Sequence, residues 1–98
     1  MSAAKAADAR WRRDAELPFQ QLDEELIVVD PKSREVHLLN ETAARIWELL
    51  AAPRSLDELA DTLGDEYDAD EDELRTAISE CLSGLSGKGL VVSVGGAR

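Results

Sequence analysis

The spacing of apolar residues changes at Asn40 from the period of a strand to the period of a helix. Before Asn40, polar and apolar residues alternate as in a strand: Glu35, Val36, His37 and Leu38. After it, apolar residues recur at i, i+3, i+4 and i+7, as in a helix: Ala43, Ile46, Trp47 and Leu50. The Asn40 side chain can accept a hydrogen bond from a free backbone N–H of the first helical turn. We therefore predict that a strand over residues 35–39 leads directly into a helix.

Two further strands are predicted upstream. Residues 17–22 form the first, with Phe19 facing inward. Because Pro18 has no backbone N–H to donate, either this strand lies at a sheet edge or the proline lies at the strand's start. The uninterrupted apolar run 26–29 forms the second, which is expected to be covered on both faces. Residues 30–34 include Pro31 and form a hairpin connection to the third strand. The sheet is therefore expected to be a three-stranded antiparallel meander whose third strand keeps one unpaired side.

Three helices are predicted after the sheet. The first covers residues 41–51. The second begins at the capping box of Ser55 and Glu58 and ends at Gly64, and the third begins at a similar pair, Asp70 and Glu73. The third helix has the clearest apolar stripe: Leu74, Ala77, Ile78, Cys81, Leu82 and Leu85. With a short last strand over 90–92, the expected fold class is α+β and winged-helix-like, a meander followed by three helices.

The 98 residues suit one domain with a modest core. Residues 1–14 are rich in alanine and poor in large apolar residues, so we expect a flexible arm with Trp11 tucked against the domain. The domain itself is expected over residues 15–94. Residues 95–98, which include two glycines, are expected to be a disordered tail.

The formal net charge of −10 argues against nucleic acid and membrane partners. Affinity for phosphate groups rests on Lys and Arg, and an acidic domain is repelled by DNA, RNA and anionic lipid. No apolar run reaches the length of a membrane span. A single cysteine and an N-terminus without the apolar core of a secretion signal indicate the cytoplasm.

The sequence offers no set of residues for catalysis or metal binding. There is no glycine-rich phosphate loop and no Ser–His–Asp or Cys–His set, so we expect a non-enzyme without cofactor. His37 is the only histidine and is expected to face solvent, and no second His or Cys lies at metal-ligand spacing. The acidic run 68–73 lacks the glycine and the glutamate that a calcium loop needs. Cys81 is expected to be a small buried hydrophobe of low reactivity.

The order of these features resembles the PqqD family of small peptide chaperones, also called RiPP recognition elements. The resemblance covers residues 17–92 and rests on the proline-containing hairpin, on three motifs and on apolar spacings. The first two motifs are Val-His-Leu-Leu-Asn-Glu-Thr-Ala at 36–43 and Leu-Asp-Glu-Leu at 56–59. The third is the spacing of Ile78, Cys81, Leu82 and Leu85 before Gly89-Leu90-Val91.

This resemblance implies a non-catalytic module that binds the leader segment of a ribosomally made precursor peptide and presents it to a modifying enzyme, often a radical SAM enzyme. The leader would add a strand to the third strand: Glu35, Val36, His37, Leu38 and Leu39. Its side chains would enter a cleft walled by the third helix: Leu74, Arg75, Ile78, Cys81 and Leu82. The acidic surface predicts Lys or Arg near the leader's apolar anchors.

Two other functions compete with peptide binding as interpretations of this sequence. A winged-helix transcription regulator fits the architecture, but such proteins read DNA with basic or amide side chains, whereas the third helix here is rich in acids. A small acidic carrier would need a serine after an acid to accept a prosthetic arm. Arg54 precedes Ser55 and no acid stands there.

Overall fold

The computed structural model describes residues 9–94 and contains two small sheets and three helices. The elements in chain order are β1 (Arg10–Arg13), β2 (Phe19–Leu22), β3 (Glu25–Asp30), β4 (Glu35–Leu39), α1 (Glu41–Leu49), α2 (Leu56–Glu66), α3 (Glu71–Gly87) and β5 (Val91–Val94). Strands β2, β3 and β4 form an antiparallel sheet in that order, and β1 pairs with β5. The predicted α+β, winged-helix-like arrangement of a meander and three helices is confirmed.

The junction between β4 and α1 forms as its sequence indicates. Strand β4 ends at Leu39 and α1 begins at Glu41. Between them, Asn40 has extended backbone angles, and its Oδ1 accepts a hydrogen bond of 2.9 Å from the N–H of Ala43. This bond satisfies one of the free donors of the first helical turn. The chain therefore changes direction at a fixed residue, which sets how β4 lies relative to α1.

The sheet places β3 in the centre and leaves β2 and β4 at its edges. Leu26 and Val28 of β3 are fully buried, while Val29 is 37% exposed. The expectation that β3 is covered on both faces is therefore wrong, because α1 packs on one face of β3 and β4 and the opposite face stays open to solvent. Phe19 does not lie inside as expected, since 44% of it is exposed, but the edge of its ring meets the Trp47 ring at a centroid distance of 5.7 Å.

The hydrophobic core lies between the covered face of the sheet and the three helices. Its largest fully buried side chain is Trp47 of α1. The other side chains without exposed surface come from every helix, from the central strand and from the segments that follow α1 and α3: Leu26, Val28, Ile46, Leu50, Leu59, Leu63, Ile78 and Leu90. Burial of such side chains stabilises the fold by roughly 1.5–3 kcal/mol each before entropy is counted. One continuous core holds the sheet and the helices together.

Residues 10–13 form a strand where the sequence suggested a flexible arm. Strand β1 pairs with β5 from Arg10↔Val94 to Arg13↔Val91. Trp11 exchanges two backbone hydrogen bonds with Arg54, of 2.8 and 2.9 Å, and packs against the core as expected. The last strand accordingly runs to Val94 rather than ending at 92. The remaining expectations for the arm at 1–8 and for the tail at 95–98 lie outside the described residues, and the domain boundaries stay a prediction.

Two helix ends differ from the predicted ones. Helix α1 ends at Leu49, two residues early, and α2 continues through Gly64 to Glu66. Gly64 is not in the left-handed conformation that ends many helices, so it does not stop α2. The expected capping box is confirmed, since Ser55 Oγ accepts from the Glu58 N–H at 3.1 Å and the Glu58 carboxylate accepts from the Ser55 N–H at 3.0 Å. Among residues 9–94, no helix combines the length and the apolar character needed to cross a bilayer.

We predict that Asn40→Ala lowers the free energy of unfolding by about 1 kcal/mol, because the N–H of Ala43 loses its partner. Asn40→Asp keeps an acceptor at this position, and its free energy of unfolding should lie within about 0.5 kcal/mol of the wild-type value. Urea titration followed by circular dichroism measures both variants. An alanine variant as stable as the aspartate variant would contradict the capping role.

Candidate functional site

Strand β4 is one of the two edge strands of the sheet, and it leads directly into α1. It pairs with β3 from Leu26↔Leu39 to Asp30↔Glu35. Within residues 9–94, no strand pairs with the other side of β4. An edge strand presents unpaired backbone N–H and C=O groups and is a template for another extended chain.

The hydrogen-bond pattern identifies which backbone groups face this open side. The Val29 N–H donates to the Pro18 C=O at 2.9 Å, so the backbone groups of Val29 point toward β2. Because the directions of the backbone groups alternate along a strand, the N–H and C=O groups of Leu26, Val28 and Asp30 point toward β4. Their partners on β4 are therefore the hydrogen-bonded ones: Leu39, His37 and Glu35. The N–H and C=O groups of Val36 and Leu38 point away from β3.

The same two residues carry the most exposed large apolar side chains of the described chain. Val36 is 62% exposed and Leu38 is 60% exposed. They lie opposite Val29 and Ile27 of β3, on the sheet face that α1 does not cover. Leu39, which points to the other face, is 3% exposed and belongs to the core. The open edge therefore combines free backbone groups with apolar side chains at Val36 and Leu38.

His37 lies on the covered face of the sheet, so the expectation that it faces solvent is wrong. Only 12% of its side chain is exposed. Its Nε2 is 3.6 Å from the Glu35 Oε1 and, among the described residues, accepts or donates no hydrogen bond. The alternation along β4 correctly separated two faces, but the apolar residues at 36 and 38 lie on the exposed one. The histidine and Leu39 face α1 instead.

Helix α3 brings few of its predicted site residues to the surface. Leu74, Ile78 and Leu82 are at most 8% exposed and contribute to the core. Arg75 forms an ion pair with Asp57 of α2. At 100° per residue, Arg75 and Cys81 lie on opposite flanks of the stripe centred on Ile78. Cys81 is partly exposed, like Arg75, and burial raises the pKa of its thiol while Lys88 partly offsets that shift.

Two features of the surface were missed by sequence reasoning. One is the pair of partly exposed Ile27 and exposed Val29, for which the uninterrupted apolar run 26–29 was the available signal. The other is a cavity of about 500 Å³ between β1 and α3. Its lining mixes an indole, aliphatic side chains and hydroxyls: Trp11, Leu56, Ser79, Leu82, Ser83, Ser86 and Gly87. No local signal marked this cavity, because it depends on the long-range pairing of β1.

Acidic side chains surround the start of α1, next to β4. A cavity of about 430 Å³ there is lined by one leucine and four acids: Leu22, Asp23, Glu24, Glu25 and Glu41. Burial, followed by the charge of Glu41, raises the pKa of the Tyr67 hydroxyl. Residues 9–94 hold no group of three or more His, Cys, Asp or Glu side chains placed to bind a metal ion. The local field favours a basic segment of a bound chain.

Comparison with known proteins identifies the family. Residues 25–91, more than half of the chain, match the family model described as coenzyme PQQ synthesis protein D (PqqD). The chain belongs to the PqqD family. The predicted resemblance is thereby confirmed, and the match spans β3 through the start of β5. A search of curated proteins found no match.

Three solved structures share the fold. The lasso peptide synthetase B1 complexed with a leader peptide has a TM-score of 0.73 and 27% identity over 84% of this chain and 96% of that one. TbiB1 in complex with the TbiA(beta) leader peptide has a TM-score of 0.74 and 21% identity over 82% and 93%. The PqqD truncation of Methylobacterium extorquens PqqCD, a stand-alone RiPP recognition element, has a TM-score of 0.70 and 20% identity over 85% and 88%.

We predict that Cys81 reacts slowly with iodoacetamide and that its rate profile is displaced to higher pH than that of a free thiol. Only the thiolate reacts, so a raised pKa lowers the reactive fraction at any given pH. Lys88→Ala should displace the profile further upward, because the Lys88 charge favours the thiolate. Alkylation rates between about pH 7 and pH 11 measure both effects. A profile at or below that of a free thiol would contradict the partial burial of Cys81.

Proposed function

We propose that this protein binds the leader segment of a ribosomally made precursor peptide by strand addition at β4 and presents it to a peptide-modifying enzyme. In this proposal the protein is not itself a catalyst, and it acts in the cytoplasm with the modifying enzyme, often of the radical SAM class, as its second partner. Membership of the PqqD family supports the proposal. Two structures with the same fold contain bound leader peptides.

The observation that carries the proposal is the open side of β4. Val36 and Leu38 direct backbone donors and acceptors away from β3, and any extended peptide can satisfy them. Main-chain bonds of this kind hold a peptide regardless of its sequence, and neighbouring side-chain contacts then provide selectivity. The acids around Glu24, Glu25 and Glu41 favour a leader with Lys or Arg beside its apolar anchors.

The proposed contact set contains the whole of β4 and one flank of α3. Residues 35–39 supply the edge. Cys81, with Ala77 one turn before it, supplies the exposed part of the helix wall, while Leu74, Ile78 and Leu82 support that wall from the core. Arg75 lies on the other flank and is held by Asp57, so we place it outside the contact set.

Neither alternative function has a specific observation in its favour. The exposed surface of α3 presents acids that repel the DNA backbone: Glu71, Asp72, Glu73 and Glu80. A prosthetic arm on Ser55 is disfavoured because this serine is 6% exposed and its Oγ caps α2. A peptide with an apolar, partly basic sequence suits the available surface better than either.

The experiment that tests strand addition replaces Val36 by proline. Val36→Pro removes an outward N–H while the ladder to β3, which uses His37 and Leu39, remains intact, and proline is tolerated at such edge positions. The probes are synthetic peptides that span the N-terminal segments of short reading frames beside the gene. We expect one such peptide to shift the amide signals of β4 and α3 in NMR titration, and its affinity to fall at least about ten-fold in the variant.

Gln21→Pro is the matched control. By the same alternation, the Gln21 N–H points outward from β2, at the opposite edge of the sheet, so this variant should keep the affinity of the wild type. Binding lost equally in both variants would contradict a site at β4. The same would follow if no peptide of the set moved β4 signals or if duplex DNA bound specifically at physiological salt.

A further inference from the structure

The sheet face turned away from α1 is apolar where it reaches the open edge. Two cross-strand pairs form this part of the face, Ile27↔Leu38 and Val29↔Val36. Val36 and Leu38 keep about three fifths of their surface exposed, compared with 37% for Val29. The exposure therefore increases toward the edge, on the side where the next strand is absent among the described residues.

An added strand would cover this surface with its own side chains. Leader residues aligned with Val36 and Leu38 would place their side chains on the same face as these two, about 4.5–5.5 Å away between Cβ atoms. This holds for a parallel or an antiparallel leader, because side chains in register share a face in both. The leader residue between them would point to the covered face, beside His37.

We infer that the protein selects leader peptides with two apolar residues at positions i and i+2, whose side chains pack on Val36 and Leu38 on the face opposite α1. This inference rests on the proposed leader binding. It assigns the leader a second contact surface, on the open face of the sheet, in addition to the cleft beside α3. A charged side chain at either position would lie against Ile27, Val29, Val36 and Leu38, none of which can pair with it. Removing an unpaired charge from water is costly, so such leaders would bind weakly.

The requirement also limits which part of a leader can occupy the edge. Adjacent contacts on β4 differ in kind, since Val36 and Leu38 are exposed and apolar while His37 is nearly buried and polar. If the leader shifted by one residue along β4, all its side chains would move to the opposite face of the sheet. The side chain at i+1 would then lie on the apolar face, beside Val36 or Leu38. The spacing of two therefore fixes the register as well as the sequence class.

A peptide display library tests the inference. The probe is a library of random peptides of about fifteen residues, which is long enough to cover β4 and its flanks. It is selected on the wild-type protein, and selected peptides are then measured on the double variant Val36→Thr/Leu38→Thr. Threonine keeps the strand propensity, and both positions are exposed, so the double variant is expected to fold.

We expect selected peptides to share an apolar pair at i and i+2 and to lose about ten-fold or more in affinity for the double variant. Gln20→Thr is the control, because Gln20 is exposed on the same face at the far edge strand, where it pairs with Ile27, and lies outside the acidic cavity. The affinity of this control variant for the selected peptides should equal that of the wild-type protein.

The outcomes separate this inference from the proposed function. Selected peptides that shift the Val36 and Leu38 amides but lack the apolar pair, or bind the double variant equally well, would overturn the inference and leave strand addition standing. Selected peptides that leave the β4 amides unchanged, or a selection without enrichment, would overturn strand addition and the inference with it.

Discussion

Five residue pairs join β3 to β4, and their ladder uses the backbone groups of every second residue of β4. This alternation assigns two different tasks to one strand. Glu35, His37 and Leu39 hold the strand in the sheet, whereas Val36 and Leu38 direct their backbone groups outward. Asn40 then caps α1 directly after β4, so the end of the strand and the start of the helix lie at a fixed position in the chain. The site depends on this register.

An exposed apolar edge strand is a hazard, because a second copy of the chain can pair with it. The charge of this protein works against such pairing. At a net charge of −10, two copies repel each other, and Glu35 lies at one end of the edge strand itself. A leader peptide that carries Lys or Arg experiences the opposite field. Acidity therefore disfavours pairing of like chains at the edge and contact with nucleic acid, while it favours basic peptides as partners.

The parts of the fold that local chemistry decides were predictable from the sequence. The bounds of β4, the Asn40 cap and the capping box of Ser55 and Glu58 each follow from a few adjacent residues. Strand β1 was not predictable, because the arginine-rich segment 10–13 has no apolar alternation and gains its partner from the distant β5. Among candidate site residues, Val36 and Leu38 lie at the surface, whereas Leu74, Ile78 and Leu82 lie in the core. The helical spacing of apolar residues identifies the stripe of α3 that is buried. It does not show which flank of that stripe is accessible to another molecule.

Amide hydrogen exchange along β4 in the free protein tests the open edge most directly. Exchange rates depend on whether an N–H is hydrogen-bonded in the folded state. We expect an alternating pattern, in which the amides of Val36 and Leu38 exchange rapidly and those of His37 and Leu39 exchange slowly. Uniform protection of all four amides would mean that this side of β4 is already occupied in the free protein, and it would contradict the account.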